Sequence, residues 1–284
     1  MKYLEEKVMQ FLMIGSTLVI VGSLFFIFIV TLYRGGGTII RQPGIILAAP
    51  GPRYLLGGGG GFGHAILGSL AMAIPATLLS SLLAILIAVY LQPDYSPPRV
   101  SGMIRSFLDI LWGTPSIVYG IFVLTVLIFF HQRGSVMAGI IALTFLELPI
   151  ITRYIDESLT AAPRDLKEIA YSMGLTRLEV FRILLKYSAS GLVAGILIGL
   201  GRALGDAASV IFTTGTASTI PKGLFSSATA LPVIIFQQAN SFYPSVRDHA
   251  YAAGVFLITL ILALNLFSRF LQQKISRYRI QESK

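Results

Sequence analysis

The chain has 284 residues, 55% of them hydrophobic and only 12% charged, with a mean hydropathy of +0.77. A soluble domain carries about a quarter charged residues, so this composition excludes an ordinary water-soluble fold and asks for lipid as solvent. The absence of cysteine excludes disulfides, thiolate catalysis and thiolate metal sites, and the net charge of +9 marks no nucleic-acid partner, because the basic residues gather between apolar runs.

A helix needs about 20 apolar residues to cross the hydrocarbon core. Six runs are read as spans, so the fold class is an all-α transmembrane bundle. Residues 11–33 form the first, too long for a signal-peptide core and without a small-residue cleavage site. Residues 64–91, with Pro75, form the second. The third, 107–130, carries Asp109 and is interrupted at Gly113-Thr114-Pro115. The fourth, 136–152, carries Glu147 and Pro149; the fifth, 189–214, contains Arg202 and Asp206; the sixth is 251–270. His64, His131 and His249 are scattered without metal-ligand spacing, so no cofactor or metal is expected.

Between the first two spans, residues 34–63 contain Gly35-Gly36-Gly37, three prolines and the glycine run 57–61. That composition favours a flexible external linker over a folded unit. Glycine content alone would allow a phosphate-cradling loop, but the chain has no Gly-Lys dipeptide and hence no Walker A loop. It is expected to hydrolyse no ATP itself. The divisions expected are 1–63 for the first helix and loop, 64–271 for a five-helix core, and 272–284 for a basic tail.

Orientation follows from lysine and arginine placement. Both termini share a side with loops 92–106 and 153–188, and that side holds 15 basic residues. The opposite side has six: Arg34, Arg41, Arg53, Arg133, Lys222 and Arg247. The basic side, with both termini, is expected to be cytoplasmic.

The loop 153–188 is patterned. Pro163 stands where a helix can begin, and Leu166, Ile169, Ala170 and Met173 recur at i, i+3, i+4 and i+7, giving a short amphipathic helix. Gly174 ends it as a residue free to take positive φ. Thr176 and Glu179 then form a capping box that restarts a helix running into the fifth span. A helix so short is unstable alone in water and must dock, either at the lipid interface or on a cytoplasmic partner.

A charge at the bilayer centre costs at least about 2.5–3.5 kcal/mol, so Asp109, Glu147, Arg202 and Asp206 need reasons. Asp109 reads as interfacial, and Glu147 as a cap for backbone freed by Pro149. Arg202 and Asp206, four apart, are expected on one helix face and able to pair. The same stripe runs back through Gly199, Gly195 and Gly191, where a neighbour can approach closely, and forward through Ser209 and Thr213. Either the two charges only neutralise each other, or the stripe lines a pathway in which the Arg202 fork meets an oxyanion. Pro115 breaks the third span and frees carbonyls, whether for packing or for function.

These segments resemble a known family. Glu168-Ile169-Ala170, three residues, Gly174, then Ile183-x-Leu185 is similar to the coupling motif of bacterial ABC importer permeases, with Ile169 for the usual Ala, a spacer of eight rather than nine, and Lys186 where Pro is common. Gly201-Arg202-Ala203-Leu204-Gly205-Asp206 resembles the Gly-Arg-Ala-Ile-Gly-Glu stretch of phosphate ABC permeases, with Asp for Glu. Trp112-Gly113-Thr114-Pro115-Ser116-Ile117-Val118-Tyr119-Gly120 is similar to their Gly-x-Pro-Ser-Ile-Val-Tyr-Gly. Ala230-Leu231-Pro232-Val233-Ile234 and Asn265-Leu266 fit the PstA type better than the PstC type.

The resemblance covers roughly 62–271 and implies a six-helix type I ABC importer permease for phosphate. Arg202, Asp206, Ser209, Thr114 and Ser116 would lie on the substrate pathway. Leu166, Glu168, Ile169, Ala170, Met173 and Gly174 would couple to an ATPase. Implied partners are a homologous PstC-type permease, two cytoplasmic ATP-binding subunits, an extracytoplasmic phosphate-binding protein and the lipid bilayer. Permeases for molybdate or sulfate, a secondary transporter using protons through Glu147 or Asp206, and an assembly or signalling subunit are the alternatives. No convincing internal repeat favours the secondary transporter.

Overall fold

The structure is a computed structural model describing residues 2–52, 54 and 59–281, and the side chains of these except 2–4, 164 and 276–281. Arg53, Lys284, two glycines of the 57–61 run and the side chains of Lys2, Arg164, Arg277 and Arg279 therefore lie outside the described residues. Helices account for nearly all the regular structure.

In chain order they are α1 (Lys2–Arg41), α2 (Gly63–Tyr90), α3 (Pro98–Gly113), α4 (Ser116–Phe129), α5 (Val136–Thr160), α6 (Arg164–Ser172), α7 (Arg177–Tyr187), α8 (Ala189–Gly205), α9 (Leu231–Ala239) and α10 (Pro244–Gln281). Four of these, α1, α2, α5 and α10, are long and apolar enough to cross a membrane singly. Six crossings result if two bent pairs each count as one: α3 with α4, bent by 96°, and α7 with α8, bent by 67°. The third span is thus broken rather than straight, and α7 meets the fifth at a bend just before it begins.

The centre of the bundle is α5. Small residues recur along α2 at helical spacing, and the clusters pair Met72, Ala73 and Ala76 with Ile140, Leu143 and Leu146. Further along both helices, Ala84 and Ala88 pair with Ile151, Ile155 and Leu159. The two helices therefore run side by side in the same direction. On another face of α5 the glycine stripe of α8 makes the close approach its spacing predicts. A Cβ at Gly195 would stand 2.7 Å from Tyr154 Cβ, and one at Gly199 would stand 2.8 Å from Ile151 Cδ1. Apolar lipid tails do not drive helices together, so such interdigitation is the main source of cohesion.

Two expectations about the first 63 residues fail. Helix α1 runs straight through Gly35-Gly36-Gly37 to Arg41. Gly35 lies against the Tyr251 carbonyl of α10, and its missing Cβ is what permits the contact. Nor is the segment after α1 a flexible linker. A 3-10 helix, Pro43–Ile46, leads into a folded cap in which Phe62 N donates to Ile45 O (3.0 Å) and Gly61 N to Ala49 O (3.0 Å). Ile45, Tyr54 and Phe62 are buried with Ala252 and Ala253 of α10. The glycines of the run serve close backbone packing there: a Cβ at Gly61 or Gly60 would strike residues 45–51.

Candidate functional site

The elbow between α3 and α4 is built by Pro115. With no N–H, it cannot donate to the carbonyl four residues back, that of Leu111. That carbonyl instead accepts the Tyr119 hydroxyl at 2.6 Å and Thr114 N at 3.0 Å. Thr114, whose ψ of 130° turns the chain out of α3, donates its hydroxyl to Ile110 O at 2.9 Å. The Leu111 and Ile110 carbonyls at the break are thus satisfied locally, which helps the 96° bend persist at membrane depth. Ser116 opens α4, half-buried.

Helix α8 ends at Gly205, not at residue 214, and this overturns the expected pairing of Arg202 with Asp206. Asp206 adopts ψ of 120°, which swings its carboxylate onto the following turn. Its Oδ2 accepts Ser209 N at 2.8 Å and also the Ser209 hydroxyl. This is helix-cap chemistry: a short carboxylate takes the N–H three residues on, and Ile211 N then bonds Ala207 O as the turn proceeds. Asp206 is spent on that cap, so Arg202 makes no ion pair among the described residues. It is exposed, and its charge reaches Tyr119.

The elbow and the turn touch. Gly120, one residue past Tyr119, lies so close to the Ala208–Ser209 backbone that a Cβ would stand 2.7 Å from Ser209 O. Thr114, Ser116, Tyr119, Arg202, Asp206 and Ser209 therefore belong to one locality, assembled from two segments far apart in sequence. Within it the roles differ. Arg202 is exposed and Thr114 and Ser116 are half-buried, whereas Ser209 is fully buried with its hydroxyl given to Asp206. The sequence pointed to no role for Tyr119, although it lay in the motif; the Pro at i−4 of it was the available signal.

The helix pair at the opposite, basic end takes the expected form. Pro163 is the residue before α6, and Gly174 has φ +77°. Gly174 N bonds Tyr171 O (2.9 Å) and Leu175 N bonds Ala170 O (3.3 Å), a paired closure that satisfies the last carbonyls. Thr176 and Glu179 cap α7, with Thr176 N donating to Glu179 Oε2 at 2.8 Å. Only part of the apolar face of α6 is buried within this chain, however. Leu166 and Ala170 pack inward with Ile151, Ile155 and Val180, while Ile169 and Met173 are 60% and 75% exposed. Glu168 is exposed beside them.

Contacts that sequence reasoning missed anchor this pair. Lys167 Nζ reaches Asp94 Oδ2 at 2.9 Å, and the Tyr95 hydroxyl donates to Arg177 O at 3.0 Å. Arg105 grips Asp156 through two nitrogens, at 2.7 and 3.0 Å. Asp109 is paired with Arg153 at 2.8 Å, which accounts for its charge. Glu147 caps no backbone: it lies mid-way along α5, fully buried, both carboxyl oxygens without a hydrogen-bond partner. Signals for these long-range pairs were absent, because single charges give no partner in a sequence.

The signature of binding-protein-dependent transport system inner membrane components matches residues 80–279. A probable phosphate transport system permease protein PstA of Methanocaldococcus jannaschii is 30% identical, covering 94% of this chain and 92% of its own. The phosphate transport system permease protein PstA of Yersinia pestis is 35% identical over 76% of this chain and 74% of its own. Among solved structures, a chain of the inward-facing MetNI methionine ABC transporter superposes with a TM-score of 0.61. It is 18% identical and covers 74% of this chain and 94% of that one. That likeness is one of fold, the type I importer permease.

Proposed function

We propose, from the premise that this chain belongs to the family of binding-protein-dependent transport system inner membrane components, that it is the PstA-type permease subunit of an ATP-driven phosphate importer. The observation that carries the reading is Arg202, an exposed guanidinium with no carboxylate partner among the described residues, standing about 20 Å along α8 at 1.5 Å per residue. A bare cation at that depth is costly unless an anion visits it, and a planar fork binds phosphate oxygens by paired hydrogen bonds. Thr114 and Ser116 supply hydroxyls at the neighbouring elbow. Asp206 and Ser209 back the site by holding the turn behind Gly120.

The pathway is completed by a homologous PstC-type permease, with an extracytoplasmic phosphate-binding protein delivering the anion. Two ATP-binding subunits sit on the cytoplasmic face, where both termini also lie. Exposed Glu168, Ile169 and Met173 meet the ATPase, while Leu166 and Ala170 seat α6 on the bundle and Gly174 sets its end. Closure of the ATPases pushes residues 163–177, and the spans rock between outward and inward access. The chain performs no bond chemistry.

The test is phosphate uptake by the assembled transporter in liposomes with ATP inside. Arg202→Ala should reduce uptake at least tenfold, and Arg202→Lys, which keeps charge but loses the fork, should recover only part. Competition by molybdate or sulfate as effective as that by phosphate would reassign the anion. Uptake by the isolated chain without nucleotide would overturn the ATP-driven reading altogether.

A further inference from the structure

Asp156 and Glu147 are both buried carboxylates of α5, and their surroundings are opposite. Asp156 has Arg105 and the Gln92 amide. Glu147 is 0% exposed, and neither oxygen has a donor. Among the described residues no cationic side chain pairs with it. Along α2 the titratable residues are His64 and Tyr90, one at each end of that helix; on α8 the one titratable residue is Arg202, which is exposed and whose charge reaches Tyr119. Arg153, on α5 itself, is engaged with Asp109 and Glu157, and Arg105 of α3 with Asp156.

Level with Glu147 on α2 is a set of hydroxyls. The paired clusters of α2 and α5 bring residues 77–81 level with residue 147. The Thr77 hydroxyl neighbours the carboxyl and gives its proton to Ala73 O at 2.8 Å. Ser80 and Ser81, 0% and 7% exposed, have hydroxyls with no partner. Helix hydroxyls in this bundle normally donate back to the carbonyl four residues earlier, as Thr77, Thr144, Thr152 and Ser158 do. From α8, Gly199 presents no side chain, and a Cβ there would stand 3.3 Å from Glu147 Oε2.

We propose that Glu147, with the Thr77, Ser80 and Ser81 hydroxyls, is a binding site for one small monovalent cation, a proton or a sodium ion, enclosed between α2, α5 and α8. Hard cations take oxygen ligands, and four oxygen-bearing side chains lie at one level of the α2–α5 contact with a single formal negative charge, which balances one unit of positive charge and not two. A buried carboxylate is tolerated only when paired or neutralised, and an ion supplies what no side chain does. The site lies on the glycine seam that joins α8, bearing Arg202, to α5, so cation binding is coupled to how tightly that seam closes.

The experiment is thermal and denaturant unfolding of the full-length chain in detergent, across pH and in sodium against choline chloride at fixed ionic strength. Wild type is compared with Glu147→Gln. If the ligand is a proton, the folded chain keeps one that the unfolded chain, its carboxyl in water, has released above about pH 5. The unfolding constant then rises up to tenfold per pH unit, with no sodium effect. If the ligand is sodium, the unfolding constant falls up to tenfold per tenfold increase in sodium, most clearly at alkaline pH.

Glu147→Gln should lose whichever response the wild type shows. Identical responses in wild type and Glu147→Gln would overturn the proposal. Should the variant not fold, the wild type alone decides by two measurements. Either one radioactive sodium ion bound per chain, or an infrared carbonyl band of a water-shielded protonated carboxyl, supports the site, and the absence of both refutes it.

Discussion

At Gly174 the chain turns through φ +77°, and a Cβ built there meets nothing within 4 Å. The cost of any substitution is therefore conformational alone. Gly174→Ala should lose about 1–2 kcal/mol of local stability from the left-handed backbone, while Gly174→Asn, a residue that tolerates this region, should lose less. Amide hydrogen exchange over residues 164–173 reads the difference, and equal protection in Gly174→Ala and wild type would show that the turn does not hold α6. Asp206 carries a second residue-scale prediction. As a cap, its replacement by Ala should cost about 0.5–2 kcal/mol. In a double-mutant cycle with Arg202→Ala, the coupling should stay under about 0.5 kcal/mol. Coupling well above that would restore the ion pair that helical spacing suggested.

Among the elements, α8 depends on its seam. Alanine normally favours a helix over glycine by up to about 1 kcal/mol. At Gly195 the added Cβ would sit 2.7 Å from Tyr154 Cβ, an atom fixed to the α5 backbone, and overpacking of that kind costs about 1–3 kcal/mol. Gly195→Ala should thus lower the thermal midpoint of the full chain in detergent. Gly201→Ala, where nothing lies within 4 Å, should leave it unchanged or raise it. The reverse order would mean that α8 does not pack on α5 through its glycines. This seam was legible because i, i+4 glycines have one structural use in a membrane helix. The stop at Gly205 was not, since neither Gly201 nor Gly205 breaks an apolar run by itself, and Asp206 four residues after Arg202 reads as an ion-pair partner as readily as a cap for Ser209. Gly35-Gly36-Gly37 misled as well: a docking site 216 residues away, at Tyr251, decides that these glycines are helical.

For the molecule as a whole, the question is how a push on α6 reaches the bundle. Helix α6 has little of its own to hold it: Leu166 and Ala170 inward, and one polar tie outward, with a second at the start of α7. The ties, Lys167 to Asp94 and Tyr95 to the Arg177 carbonyl, both end in the segment 91–97 that continues α2. That segment is fixed in turn to α5, because Gln92 and Arg105 share Asp156, and Arg105 also donates to Leu91 O at 3.2 Å. On the proposed coupling role, a push on α6 would reach α2 and α5 together, the helices that with α8 enclose Glu147.

The Lys167–Asp94 pair is only partly buried, with side-chain exposures of 21% and 25%, and such pairs contribute at most about 1 kcal/mol to stability. Its loss should then be felt in transmission and not in folding. Lys167→Ala and Asp94→Ala should each leave the thermal midpoint of the assembled transporter within a few degrees while lowering phosphate moved per ATP hydrolysed. The charge-swapped double variant, Lys167→Asp with Asp94→Lys, should recover part of that ratio. If both single variants transport with wild-type stoichiometry, the link between α6 and α2 runs through the apolar contact of Leu166 and Ala170 alone.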